Sequence, residues 1–327
     1  MSRAGDGLNR MSMRVCEAAA ERSAALGIAM HRLPCGGQVL DFGVKVAGGL
    51  AAGLELAKTA MSDCAVVTIT SGDASTWAGP WIQVRTDRPI EACMLSQYAG
   101  WPVQVDKFFA MGSGPMRLRR GREAVLQELD AGDGDVLAVG TLECDKLPTC
   151  KEVEWIAEQC DCLPSEVWLA VAPTRSLAGC VQVVARSVET CLHKLHSLEF
   201  DLHQVRAGYG SAPLCPPTPD FAEGIGRTND AILFGGHVTL WLDTTDELIE
   251  AVGPKVPSAA SSDFGAPFIE IFKRAGYDFY KVDPGLFSPA VVTLCNLNSG
   301  RSWTFGRARP DLIAQSFGTR SEESIAP

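Results

Sequence analysis

Val136–Thr141 (VLAVGT), Glu152–Gln159 (EVEWIAEQ), Val167–Val171 (VWLAV) and Leu177–Leu198 (LAGCVQVVARSVETCLHKLHSL) follow one another through the middle of the chain. The first and third are short apolar runs of strand length. The second and fourth space their apolar residues at helical intervals. Strand, helix, strand, helix in close succession makes this a mixed α/β (α+β) chain. Towards the N-terminus the pattern predicts a helix over Met13–Leu26 ended by Gly27, and a strand over Gln38–Val46 that breaks at Gly48-Gly49. A helix over Ala51–Met61 follows, then strands over Cys64–Thr70, Trp81–Val84 and Ile90–Leu95, and a helix over Gly121–Leu129. Towards the C-terminus, Gly208–Pro219 holds Pro213, Pro216, Pro217 and Pro219 and reads as an irregular segment. Strands over Ala231–Phe234 and His237–Leu242, a helix over Phe268–Ala275 and strands near Tyr277–Val282 and Ala290–Leu294 complete the reading.

At 327 residues the chain has room for two domains. The proline-rich break suggests residues 1–205 and 206–327, either of which could be discontinuous. Hydrophobic residues make up 46% and charged residues 21%, enough for a large core. Acidic side chains outnumber basic ones by 39 to 29, for a net charge of −10, which argues against a nucleic-acid partner. No apolar run is long enough to span a bilayer, and polar Met1–Arg10 lacks the apolar middle of a signal peptide. A soluble, cytoplasmic protein with no membrane partner is expected. The twelve cysteines are scattered, so reduced thiols are expected rather than a disulfide framework. Cys144, Cys150, Cys160 and Cys162 lie close in sequence, but their spacing matches no paired C-x2-C zinc pattern. His193, His196 and His203 read as solvated histidines at a helix end rather than a metal site. No metal is expected.

Phosphate-loop, dinucleotide, nucleophile-elbow and H-E-x-x-H motifs are all missing from the sequence. What remains is carboxylate and arginine chemistry. Arg186 and Glu189 stand three apart on the predicted helix among Val181, Val183, Val184, Val188 and Leu192, so they share one face. Spacing alone leaves two readings open: an ordinary surface ion pair, or a general base and a cation at the wall of a pocket. Three further segments combine glycines with polar or aromatic groups: Lys107–Pro115 (KFFAMGSGP), Gly226–Asp230 (GRTND) and Ser258–Gly265 (SAASSDFG). Such segments are turns or places where backbone amides approach a ligand.

Together, Asp106–Pro115 (DKFFAMGSGP), Ala172–Thr190 (APTRSLAGCVQVVARSVET), Gly226–Ala231 (GRTNDA) and Tyr277–Ala290 (YDFYKVDPGLFSPA) resemble the methenyltetrahydromethanopterin cyclohydrolases, in the family order and over about Ala18–Phe317. The resemblance implies the family's own fold, with two domains and a substrate cleft between them, and a homotrimer. It implies addition of water to the methenyl form of a folate-like carrier, giving the N5-formyl form in one-carbon metabolism and formaldehyde oxidation. No metal or prosthetic group is implied, the pterin being the substrate. Arg186 and Glu189 fall on the family's R-x-x-E pair, which implies Glu189 as base for water with Arg186 beside it. Lys107, Phe109, Ser113, Arg227 and Asp230 are candidate substrate contacts, with Lys107 or Arg227 for the anionic tail. Two other readings remain at this stage: a cyclohydrolase for a folate-type carrier, disfavoured because no dinucleotide fingerprint accompanies it, and a non-catalytic pterin-binding homologue.

Overall fold

The computed structural model describes residues 7–129, 131–132 and 134–319, with Tyr280 by its backbone alone. Most of the polar stretch Met1–Arg10, residues 1–6, lies outside the described residues. The chain begins with α1 (Leu8–Glu21), α2 (Ser23–Leu26), β1 (Ala29–Arg32), β2 (Gln38–Asp41), α3 (Leu50–Ala60), β3 (Val66–Thr70) and β4 (Trp81–Thr86). A π-helix, Ile90–Gln97, leads to β5 (Trp101–Val105), β6 (Phe108–Ser113), α4 (Met116–Arg120), α5 (Ala124–Glu128), β7 (Ala138–Glu143), α6 (Cys150–Cys160) and β8 (Val167–Ala172). Then come α7 (Leu177–Val184), α8 (Ser187–Ser197), β9 (Val205–Pro213), α9 (Phe221–Gly235), β10 (His237–Leu242), α10 (Asp246–Val252), α11 (Phe268–Arg274), β11 (Val291–Asn296), β12 (Ser302–Gly306) and α12 (Pro310–Phe317). No helix among the described residues is long and apolar enough to cross a membrane.

Two compact units emerge: residues 1–67 with 86–182, and residues 68–85 with 183–327. The division falls after residue 182 rather than near 206, because α8 packs on β9 and β10 and so goes with the second sheet. Residues 68–85 pass into the second unit because β3 and β4 extend that sheet beside β9.

The first unit carries a sheet in the order β1-β2-β8-β7-β6-β5. Its centre, β2, β8 and β7, is parallel, flanked by antiparallel β1 and the antiparallel β5–β6 hairpin. Alternate residues of these strands enter opposite cores. Val39, Leu169 and Val171 pack with Val153 and Ile156 of α6, whereas Leu40, Ala170 and Ala172 pack with Cys16 of α1 and Leu56 of α3. A parallel sheet covered on both faces needs apolar residues at nearly every position, which is why VWLAVA reads as a continuous apolar run.

The second unit carries the order β12-β11-β10-β9-β4-β3, with β10 and β11 parallel and β9 antiparallel to β10. Helices α8 and α9 both pack on β9, while α11 and α12 pack on α9.

Several local expectations change. Gly208–Pro213 is strand, not irregular chain, because its glycines are spaces for a helix described below. Ile90–Leu95 is π-helical: Arg117, itself fully buried, donates from Nη1 to the Met94 and Ser96 carbonyls and holds the widened turns. Gly226–Phe234 lies inside α9, whose N-cap is Asp220, with its carboxylate accepting from the Glu223 N–H at 2.8 Å. The expected strand at Tyr277–Val282 is a 3-10 turn, Phe279–Lys281. The long helix Leu177–Leu198 is two helices.

Candidate active site

The break between α7 and α8 falls on Ala185 and Arg186 without a proline or glycine. The Arg186 N–H donates to the Val183 carbonyl at 3.0 Å, a tightened three-residue spacing, and the Arg186 carbonyl then accepts from the Thr190 N–H at 2.9 Å to restart the helix. Arg186 sits in the sparsely populated bridge region, φ −82° and ψ 6°, and caps α8. Glu189 is therefore in the first turn of α8, the end of a helix that favours a negative charge. Their side chains are each only 6% exposed, with Arg186 Nη1 3.8 Å from Glu189 Oε2. This burial removes the surface-pair reading. Taking two charges out of water costs several kcal/mol per ion by order of magnitude, so each must be compensated by its neighbour and by hydrogen bonds.

The turn that carries them is seated by glycine. Val188 lies over Gly208 and Gly210 of β9, two strand residues on one face: a Cβ on Gly208 would stand 2.8 Å from Val188 Cγ1, and one on Gly210 would stand 2.3 Å from Ser187 Oγ. Only glycine at both positions lets α8 lie this close to the sheet.

Further along α8, Lys194 fastens the helix to two of the segments singled out in the sequence. Its Nζ donates to the Gly285 carbonyl at 2.9 Å, and the chain there is shaped by Asp283. The Asp283 carboxylate accepts from Ser261 Oγ at 2.6 Å, Gly285 N–H at 2.9 Å and Ser262 N–H at 3.2 Å, and these bonds hold it below the usual carboxylate range. In return the Asp283 N–H donates to the Asp263 carboxylate at 2.8 Å. Burial lowers the Lys194 pKa, opposed by the Asp283 charge. His193, one turn beyond Glu189, is not the solvated histidine expected from its place near a helix end. Burial, with His196 and Lys194 adding to it, pushes its pKa down to about 4, so the imidazole is neutral at pH 7. Among the described residues no group of three or more His, Cys, Asp or Glu gathers as a metal site.

The five other candidates separate by unit. Lys107 is exposed in the two-residue turn of the β5–β6 hairpin, beside Asp106 in left-handed backbone at φ 50°. Phe109 is 51% exposed on β6, and Ser113 is fully buried at the far end of that strand, about 13 Å along it. Arg227 and Asp230 lie on α9 in the second unit. Arg227 is half-buried at the rim of a recess of about 240 Å³ shared with Glu223, Glu270, Lys273 and Ser316. Its Nη1 donates to the Pro216 carbonyl at 3.3 Å and its Nη2 lies 3.9 Å from Glu223. Asp230 is fully buried with both oxygens engaged: Oδ1 accepts from the Phe268 N–H at 2.8 Å, starting α11, and Oδ2 from Ser316 Oγ on α12 at 2.6 Å. It ties three helices together. Burial raises its pKa to about 7 against those two hydrogen bonds.

The family model described as "Cyclohydrolase (MCH)" matches residues 7–317. The chain belongs to this cyclohydrolase family. The match takes in both units and the whole α7–α8 turn. A relative from Rhodopirellula baltica, named methenyltetrahydromethanopterin cyclohydrolase, is 51% identical over 89% of this chain and 90% of its own. Relatives of the same name from Methylobacillus flagellatus and Methanococcoides burtonii are 42% and 43% identical, the first covering 95% of each chain and the second 88% of this chain and 90% of its own. Of the residues that seat and fasten the α7–α8 turn, sequence reasoning missed Gly208, Gly210 and Lys194. The glycines read as loop, and a single lysine at a helix end gives no signal. Asp283 and Gly285 lay inside the quoted YDFYKVDPGLFSPA string.

Proposed function

We propose that this protein hydrolyses N5,N10-methenyltetrahydromethanopterin to N5-formyltetrahydromethanopterin, with Glu189 as the general base and Arg186 beside it. The observation that carries the site assignment is the buried Arg186–Glu189 pair in the first turn of α8. The methenyl carbon belongs to a cationic, amidinium-like ring and is already electrophilic, so the reaction needs a deprotonated water and a route for protons. Water adds to that carbon as one of its protons passes to Glu189. The C–N10 bond of the adduct then opens, N10 takes the proton from Glu189, and the adduct hydroxyl releases its own proton to solvent as the formyl C=O forms. One water is consumed and one proton leaves. Arg186 favours the ionised carboxylate and fixes its direction. Written this way, the chemistry calls for no metal or prosthetic group.

Lys107, exposed at its hairpin turn, suits the carrier's anionic tail better than Arg227, whose charge is shared with Glu223 and the Pro216 carbonyl. Asp230 acts through the helices it joins rather than on the substrate. The same reading assigns the protein to the cytoplasm as a homotrimer. The test is loss of the methenyl chromophore when purified protein meets methenyltetrahydromethanopterin, run beside the methenyl-folate analogue. Hydrolysis of the first well above the uncatalysed rate is expected; hydrolysis of the folate alone, or of neither, overturns the proposal.

A further inference from the structure

Of the four cysteines that cluster in sequence, two turn inwards to carbonyls: Cys144 Sγ donates to the Lys146 carbonyl at 3.1 Å and Cys160 Sγ to that of Met116 at 3.6 Å. Cys150 does something else. It is the first residue of α6, and its sulfur accepts the backbone N–H of Cys35 at 3.3 Å, across 115 residues of chain. Burial, and after it the neighbouring Cys150 thiol, raises the Cys35 pKa. Both residues are partly exposed, so a small oxidant can reach them.

Their backbones are held in place from both sides. The Thr149–Glu152 capping box fixes the start of α6, with Glu152 Oε2 accepting from the Thr149 N–H at 2.7 Å. Cys35 sits in the β1–β2 turn, which closes through Gly36 N–H to the Leu33 carbonyl and Leu33 N–H to the Gly37 carbonyl, each at 2.9 Å. The turn is seated on α6: a Cβ on Gly37 would stand 2.5 Å from Val153 Cγ1. With Cys150 Sγ already 3.3 Å from the Cys35 nitrogen, the Cys35 side chain needs only rotation about its own Cα–Cβ bond to turn its sulfur towards that of Cys150.

We propose that Cys35 and Cys150 are a reversible oxidation site, forming a disulfide that ties the β1–β2 turn to the start of α6 when the protein meets a peroxide. The Cys150 thiolate attacks hydrogen peroxide, giving a sulfenic acid and hydroxide. The Cys35 sulfur then displaces hydroxide from the sulfenic sulfur as its own proton is taken up. Two thiol hydrogens and one peroxide become one disulfide and two waters, and a dithiol reductant reverses the bond. Nothing in this site belongs to the α7–α8 turn, so it stands independently of the proposed hydrolysis.

The experiment is peroxide treatment of the purified full-length protein, alkylation of remaining thiols, and tryptic mapping. Cleavage after Arg32, Lys45, Lys146 and Lys151 isolates each thiol in its own peptide, LPCGGQVLDFGVK for Cys35 and LPTCK for Cys150. The expected product is these two peptides linked, lighter by two hydrogens than their sum and separated by dithiothreitol. Oxidised protein should also melt higher by about 5–10 °C, since the bond closes a long loop. Cys35→Ser and Cys150→Ser should each abolish the linked pair and the melting shift. The proposal is overturned if both peptides are recovered alkylated, or if either cysteine is found joined to Cys144 or Cys162. It is also overturned if Cys150 runs on to a sulfonic acid with Cys35 intact.

Discussion

Replacing Gly210 by alanine tests whether the first turn of α8 carries the chemistry. The new Cβ would stand 2.3 Å from Ser187 Oγ and 2.8 Å from Val188 Cγ2. Carbon needs about 3.5 Å or more from its neighbours, so the turn must retreat by roughly 1 Å. Overpacking of this size costs about 1–3 kcal/mol, which lowers Tm by a few degrees and leaves the protein folded at 25 °C. Glu189 and Arg186 travel with Ser187, and a misplacement of about 1 Å can cost about 100-fold in rate. Gly210→Ala is therefore expected to lower kcat 10- to 100-fold, measured by loss of the methenyl chromophore well below the melting temperature. Ser187 Oγ is buried without a hydrogen-bond partner, so Ser187→Ala alone is near neutral. In the double variant that substitution removes the 2.3 Å contact and should restore much of the lost rate. A Gly210→Ala protein that melts lower but turns over like wild type refutes the reasoning, as does a double variant that recovers stability without recovering kcat.

Asp230, whose folded pKa lies near 7 and whose unfolded value is near 4, stabilises the fold most when protonated. Its contribution is fully present below about pH 4 and is lost as pH rises through about 7. Asp230→Asn keeps a neutral group of the same shape, so wild type should lose Tm relative to the variant over that window; parallel Tm curves would show that Asp230 does not titrate there. Lys194→Met keeps the length of the side chain but strips the Gly285 carbonyl of its donor. About 1–3 kcal/mol of stability should go with it, read as a lower Tm, and an unchanged Tm would mean that α8 is not fastened through Lys194.

The sequence carried the α/β alternation well, because VWLAV and EVEWIAEQ each match one period and are bounded by turn residues. It failed where tertiary contacts overrode local pattern. GRTND reads as a turn by composition, but Asp230 is spent on the Phe268 N–H and Ser316, and the helix is started upstream by Asp220. Gly208 and Gly210 read as loop residues because a glycine kept for space looks the same in sequence as one kept for a bend. The α7–α8 break was invisible because apolar spacing runs unbroken from Val181 to Leu192, with no breaker between. Arg186 and Glu189 could be paired by spacing, but their burial comes from tertiary packing that spacing does not bring into view.

The central claim is that Glu189 takes the proton of the attacking water. The direct measurement is kcat for Glu189→Gln on methenyltetrahydromethanopterin, alongside substrate affinity by fluorescence or calorimetry. The account predicts a loss of about 100- to 10,000-fold in kcat with affinity within a few-fold of wild type. Turnover within about tenfold of wild type, with the variant folded and binding normally, would contradict it.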